Sequence, residues 1–364
     1  MREAVLRHLA ALVGFDTRNP PRAIGAGGIF DYLRAQLPGF EVQVIDHGAG
    51  AVSMLAVRGR PTRLFNVHLD TVPSSNGWTQ DPHVLRIEGD RAIGLGACDI
   101  KGAAAGLIAA AAVTTGDAAF LFSSDEEAND PRCIAAFLAT DHGFTDVLVA
   151  EPTNCEAVLA HRGLSSARIA FRGEAGHASS PNAMQLSAVH RAMRWGVRAL
   201  DHAQSLAHER FGGLTGLRFN IGTMAGGIKG NVIAPSGELR FNFRPLPSMD
   251  IDAMHAALQG FAGDGELDAY EETFRGPPLP AGVLHEAERQ RLAARDLADA
   301  LDIPIGNAVD FWTEASLFSQ GGLTALVFGP GDIAQAHTAD EWVAIDQLET
   351  YAAHAARIIG NTPA

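Results

Sequence analysis

Five side chains suited to holding a metal ion stand where apolar, strand-like runs of this chain give way to loops: His68, Asp99, Glu127, Glu151 and His337. The carboxyl ends of strands are the usual ligand-binding edge of an open α/β sheet, so position matters as much as residue type. His68 and Asp70 close the run Leu64–Val67 with one residue between them, which sets both side chains on one side of an extended chain. A histidine so placed binds a divalent ion through one ring nitrogen while the nearby aspartate accepts the proton of the other and fixes the tautomer. Asp99 lies in the glycine-rich stretch Gly94–Gly102, just ahead of an alanine-rich helix, where it reads equally as a helix N-cap. A phosphate loop is set aside because the Gly-x-x-x-x-Gly-Lys-Ser/Thr spacing is missing.

Ser123-Ser124-Asp125-Glu126-Glu127 follows another apolar run, and its adjacent carboxylates repel one another unless a cation or a proton intervenes. A solvated acidic loop has the same composition. Glu151 ends Val147–Ala150 and precedes Pro152; His337 follows Gly329-Pro330-Gly331. Singly these positions are ordinary. Together they supply the nitrogen and oxygen ligand set that zinc or cobalt prefers. One carboxylate can bridge two ions about 3.5–4 Å apart, an arrangement that activates a water and polarises a scissile carbonyl. A general base must then take and return the water's proton, and Glu126, beside a ligand without having to be one, is the candidate.

The elements that position these groups follow from periodicity. Helices are expected over Met1–Leu12 and Gly28–Leu37, strands over Val42–Ile45, Val52–Val57 and Leu64–Val67. A helix from Ala103, strands at Ala118–Ser123 and Val147–Ala150, and a helix at Pro131–Ala139 complete an α/β pattern with a buried, mixed sheet. Between about Leu164 and Arg275 the order changes to strand (Ser166–Phe171), helix (Ala183–Leu200), two strands (Leu217–Ile221, Glu238–Arg244) and helix (Ile251–Gly260), a ferredoxin-like β-α-β-β-α unit. After Gly276–Gly282 the first style resumes with a helix (Leu284–Leu301), a strand (Leu323–Phe328) and a closing helix (Ile345–Ile359). The chain is therefore expected to fold as one discontinuous domain, residues 1–163 and 277–364, with residues 164–276 inserted.

Composition narrows the function classes. With 364 residues and 47% hydrophobic content the chain can bury two cores, and a formal net charge of -14 opposes binding to nucleic acid or to anionic membranes. Met1–Phe15 mixes charges into an amphipathic pattern without an apolar export core, and Ala103–Val113 is far shorter than the roughly 20 residues of a membrane span. A cytoplasmic location is expected. Cys98, Cys133 and Cys155 form an odd set with no CxxC spacing and read as buried small residues, neither disulfide framework nor zinc site.

Val67-His68-Leu69-Asp70, Gly96-Ala97-Cys98-Asp99-Ile100-Lys101-Gly102, Asp125-Glu126-Glu127, Glu151-Pro152-Thr153 and the late His337, in this order, resemble the motifs of the M20 family of metallo-deacylases and peptidases. The resemblance implies a dinuclear metallohydrolase binding two divalent ions, zinc or cobalt. His68, Asp99 and Glu151 would hold one ion and Asp99, Glu127 and His337 the other, with Asp70 supporting His68 and Glu126 as base. Ala160-His161-Arg162-Gly163, Gly176-His177-Ala178-Ser179-Ser180 and Arg244-Pro245-Leu246-Pro247 are similar to the branch of the family that deacetylates the α-nitrogen of N-acetyl-L-ornithine or N-acetyl-L-citrulline in arginine biosynthesis. There the inserted domain serves as lid and dimerisation domain, so a homodimer is implied. His177 matches the histidine brought to the substrate carbonyl, Arg244 is suited to the α-carboxylate, and Asn231 could bond the substrate. The segment Gly226–Pro235 departs from the acetylornithine pattern and introduces Lys229, a cation that would oppose an ornithine ammonium and tolerate a neutral ureido group. Cys98 stands where relatives often carry serine. Desuccinylation of a succinyl-diaminopimelate, dipeptidase or carboxypeptidase action, and metal-dependent binding without turnover are the competing readings.

Overall fold

The structure, a computed structural model, describes residues 1–360; the last four residues of the expected segment 277–364 lie outside the described residues. In chain order the first part comprises α1 (Arg2–Val13), α2 (Ile29–Gln36), β1 (Glu41–Asp46), β2 (Val52–Arg58), β3 (Arg63–His68), β4 (Arg86–Glu88), β5 (Arg91–Ile93), an irregular turn Ala97–Lys101, α3 (Gly102–Ala112), β6 (Ala118–Ser123), α4 (Arg132–Leu138) and β7 (Asp146–Val149). The middle holds β8 (Leu164–Arg172), α5 (Ala183–Leu186), α6 (Ala188–Ser205), a small hairpin β9 (Arg210–Phe211) and β10 (Leu214–Thr215), β11 (Arg218–Gly226), β12 (Ser236–Arg244), α7 (Ile251–Gly260) and β13 (Leu267–Gly276). The chain closes with α8 (Leu284–Ala300), α9 (Ala315–Gln320), β14 (Thr324–Val327), β15 (Trp342–Ala344) and α10 (Ile345–Gly360). These fall into two compact units, Met1–Leu159 with Arg289–Asn307 and Thr313–Ala364, and Ala160–Glu288 with Ala308–Trp312.

The first unit is built on a six-stranded sheet in the order β1-β2-β6-β3-β7-β14. β6, β3, β7 and β14 pair in parallel, while β2 is antiparallel to both of its neighbours, β6 and β1, so the sheet is mixed. Every residue of β6 and β7 is buried, the continuous apolar run expected of strands covered on both faces. α3 is buried along nearly its whole length because its alanines let α1 and α10 approach closely. The parallel strands bring the carboxyl ends of β3, β6, β7 and β14 to one edge, and His68 pairs directly with Ser123 in the ladder. A separate antiparallel sheet, β15-β5-β4, flanks the Asp99 turn.

The second unit is a four-stranded antiparallel sheet, β11-β12-β8-β13. Burial alternates along β8 and β12, so Ala167, Ile169, Phe171, Leu239, Phe241 and Phe243 share one face and pack with Trp195 of α6 and Leu258 of α7. The Trp195 indole donates to the Leu258 carbonyl at 2.7 Å. Besides the small hairpin β9–β10, two details differ from the expected β-α-β-β-α pattern. The helix expected at Ala183–Leu200 is broken at Ser187, whose extended backbone (φ -75°, ψ 119°) and hydroxyl cap α6, and a fourth strand, β13, completes the sheet. Among the described residues no helix is long and apolar enough to cross a membrane.

Candidate metal centre

His68 is the last residue of β3, and its ring is 2% exposed. Its Nε2 lies 3.1 Å from Asp99 Oδ1 and 3.8 Å from Glu151 Oε1. On the opposite side of Asp99, Oδ2 lies 3.2 Å from His337 Nε2, which is also 3.1 Å from Glu127 Oε1. Two triads thus share one carboxylate: His68, Asp99, Glu151 and Asp99, Glu127, His337, with the ligand atoms of each within 4.8 Å of one another. Two ligand atoms on one tetrahedral ion stand roughly 3.3–3.5 Å apart when metal–ligand bonds are about 2.0–2.2 Å, so this donor set and spacing fit a divalent ion at each triad.

Local structure explains each placement. Asp99 does not cap α3. It sits with Ile100 outside helical geometry (φ -122°, ψ 89° and φ -141°, ψ 29°), after Gly96 in the left-handed region (φ 78°), and this turn aims its carboxylate between the imidazoles. Glu151 follows β7, and Gly329 lies against its backbone so closely that a Cβ there would come within 2.5 Å of the Glu151 carbonyl oxygen. His337 takes a positive φ of 59° after the Gly329-Pro330-Gly331 turn, and its side chain stays 51% exposed.

Asp70, fully buried, serves both triads. Its Oδ2 accepts the backbone N–H of Glu127 at 3.0 Å and the Asn19 amide at 3.0 Å. Its main-chain carbonyl bonds His68 Nδ1 at 3.1 Å and so takes the ring proton, while Oδ1, 3.5 Å from Nδ1, sets a negative charge beside it. That commits Nδ1 to its proton and leaves Nε2, facing Asp99 and Glu151, as the nitrogen that would meet an ion.

The electrostatics call for positive charge. Hydrogen bonds to Asp99 and Glu127 raise His337 to about 11, against the effect of burial. Burial opposes a charged His68, but Asp70, Asp99 and Glu151 outweigh it and raise its pKa well above the ordinary value. Burial pushes Asp99 up too, yet the two histidines bring it below the usual carboxylate range. Burial and neighbouring carboxylates raise Glu127 and Glu151. Glu126, half-buried beside them, is raised well above the ordinary range by burial, then by Glu127, Glu151 and Asp70, the direction a general base near neutrality needs.

The second unit gathers the residues expected to meet substrate. His177 is exposed and pairs across a bridge with Val232, and the Asn231 carbonyl accepts the Ala178 N–H at 3.2 Å. The Ser179 N–H donates to His177 Nδ1 at 3.2 Å, which makes Nδ1 an acceptor and leaves Nε2–H as the donor. Lys229 is exposed and lines a cavity of about 630 Å³ with Ile228, Met184 and His190. Arg244 ends β12 half-buried, in an arginine cluster whose charge Asp310 offsets; Arg162, fully buried, bonds Asp310 and donates to the carbonyls of Thr215 and Gly216 at 2.8 and 2.5 Å.

Four buried groups around the centre escape sequence reasoning. Glu341 accepts three backbone N–H groups of the Asp99 turn. Glu314 accepts the Ser123 hydroxyl at 2.9 Å and is raised by burial to about 8. Lys101 donates to the Phe15 carbonyl at 3.0 Å. Asn19 holds Asp70. Their partners lie far away in sequence, and only the position of Glu341, four residues after His337, offered a signal.

The profile of Peptidase family M20/M25/M40 matches residues 64–361. The chain belongs to this family of metal-dependent hydrolases. It is 69% identical over 360 residues, covering 99% of this chain and 98% of the relative, to N-acetyl-L-citrulline deacetylase of Xanthomonas campestris pv. campestris. It is 29% identical over 345 residues, 85% of this chain and 82% of the relative, to acetylornithine deacetylase of Proteus mirabilis. Its fold is shared by aminopeptidase PepT of Bacillus cereus (TM-score 0.74, 19% identity, covering 99% and 98% of the two chains) and by an M20 protein of Bacillus subtilis described as a dinuclear metal-binding peptidase (TM-score 0.62, 15% identity, 99% and 100%).

Proposed function

We propose that this chain hydrolyses the acetamide of N-acetyl-L-citrulline, releasing acetate and the free α-amino acid. The observation that carries the reading is the 69% identity along 99% of the chain to an enzyme named for that reaction. The convergence of His68, Asp99, Glu127, Glu151 and His337 supports it. N-Acetyl-L-ornithine, the substrate in the names of relatives near 29% identity, is the second substrate.

Two divalent ions, zinc or cobalt, held by His68, Asp99 and Glu151 and by Asp99, Glu127 and His337, would polarise the acetyl carbonyl and make the attacking water more acidic. Glu126 takes one proton from that water as its oxygen adds to the carbonyl carbon. His177 donates Nε2–H to the developing oxyanion, a task worth roughly 2.7–4 kcal/mol for a well-placed donor. The C–N bond then breaks, its electron pair goes to the α-nitrogen, and Glu126 delivers the proton that makes it a leaving amine. Arg244 pairs with the α-carboxylate, where a planar guanidinium gives two parallel bonds, Asn231 hydrogen-bonds the substrate, and Lys229 disfavours a cationic tail.

Residues 164–276 act as lid and dimerisation domain. The exposed Met193, Val197 and Leu200 form one stripe on α6, and β11, the edge strand of the four-stranded sheet, carries exposed Met224; both features support a homodimer through this unit. Cys98, Cys133 and Cys155 are free and buried, as suits a cytoplasmic enzyme. A substrate panel tests the reading: N-acetyl-L-citrulline should be turned over faster than N-acetyl-L-ornithine and much faster than N-succinyl-diaminopimelate or a dipeptide. Preference for either of the last two would refute it.

A further inference from the structure

We infer that Glu341 is the positioning residue for Asp99, the carboxylate shared by both triads, and that through it Glu341 sets the affinity of both metal sites together. This rests on the metal-dependent reading proposed above.

Asp99 and Ile100 lie outside helical geometry, and the Lys101 N–H closes the turn around them by bonding the Gly96 carbonyl at 2.7 Å. Glu341 adds a restraint on Asp99 itself. Its Oε1 accepts the N–H of Cys98 at 2.9 Å and of Asp99 at 3.0 Å, and its Oε2 accepts the N–H of Gly96 at 3.0 Å. Its main-chain carbonyl accepts the N–H of Gly94 at 3.0 Å. Four amide groups between Gly94 and Asp99 therefore converge on one residue that is 1% exposed. Only a carboxylate has acceptors on both terminal atoms for three such donors; glutamine would turn an N–H₂ toward one of them.

The restraint is costly, because a second carboxylate is buried next to Asp99. Glu341 follows His337 by four residues, so the same contacts join the segment bearing His337 to the turn bearing Asp99. Both imidazoles then face Asp99 oxygens at matched distances of 3.1 and 3.2 Å.

The test uses the purified full chain stripped of metal and titrated with cobalt(II), read by visible absorption with a competing chelator and no substrate. The wild type should bind two ions. Glu341→Gln should weaken both ions by about 10–100-fold, the range for removing a group that orients a ligand. Leu33→Ala, a substitution of a fully buried residue in α2, controls for lost stability and should retain wild-type affinity. If Glu341→Gln does not fold, Glu341→Asp, which keeps both acceptors on a shorter arm, should show a smaller loss at both sites. Unchanged affinity in a folded variant, a loss confined to one ion, or an equal loss in Leu33→Ala would overturn the inference. A wild type that takes up no cobalt would overturn the metal reading itself, and the inference with it, so the two failures are told apart.

Discussion

Replacing Asp70 with asparagine should weaken one ion far more than the other. The Asp70 side chain is fully buried, and its two oxygens do different work. Oδ2 takes two N–H donors, from Asn19 and Glu127, so an amide will keep its oxygen there and turn its N–H₂ toward His68, where Oδ1 stood 3.5 Å from Nδ1. The tautomer survives, because the residue-70 carbonyl still accepts from Nδ1 at 3.1 Å. What is lost is the interaction of the ring N–H with a negative charge. The loss is bounded by what a hydrogen bond to a charged group contributes, about 1.5–3 kcal/mol, or roughly 10–150-fold in affinity. The loss should fall on the ion held by His68, Asp99 and Glu151. Glu127 keeps its backbone anchor, so the ion held with His337 should change by less than about threefold. Cobalt titration resolves the two steps. Equal weakening of both ions, or no weakening at all, would refute the division of labour assigned to Asp70.

Metal uptake should rise with pH. Asp99 and Glu127 raise His337 to about 11 in the metal-free chain, so an ion entering near neutrality displaces its proton and affinity gains about tenfold per pH unit between about pH 6 and 8; a flat cobalt affinity over that range would contradict the assignment. The same upward shift from the ordinary value of 6.5 stabilises the metal-free fold: the contribution is complete below that value and is lost as pH rises through about 11. His177→Ala should lower kcat by about 100–1,000-fold, with both ions still bound and KM little changed, the pattern of a donor used only in the transition state. A KM effect alone would make His177 a binding residue.

The centre was legible because its ligands follow strands that can be recognised one at a time. β6 and β7 are unbroken apolar runs, and parallel pairing with β3 and β14 sends their ends to one edge. The second unit was legible where burial alternates cleanly, in β8 and β12. β13 was hidden because its register shifts twice, between Leu267 and Ala269 and between Glu272 and Phe274, which breaks the two-residue period, while exposed Asp268, Glu271 and Glu272 crowd the pattern with charge. A bulge between Ile221 and Thr223 likewise hid the second half of β11. Asn19 and Glu314 could not be read from sequence, because each acts on a partner 51 or 191 residues away, and Glu341, which acts on Gly96 245 residues away, offered only its spacing from His337.

The central claim, that Glu126 moves the proton in a metal-dependent deacetylation, is tested most directly by acetate release from N-acetyl-L-citrulline by Glu126→Gln, with bound metal measured on the same sample. The account predicts two ions bound as in the wild type and a rate about 100–10,000-fold lower. Wild-type turnover by the variant would contradict it, and so would a rate loss fully explained by missing metal.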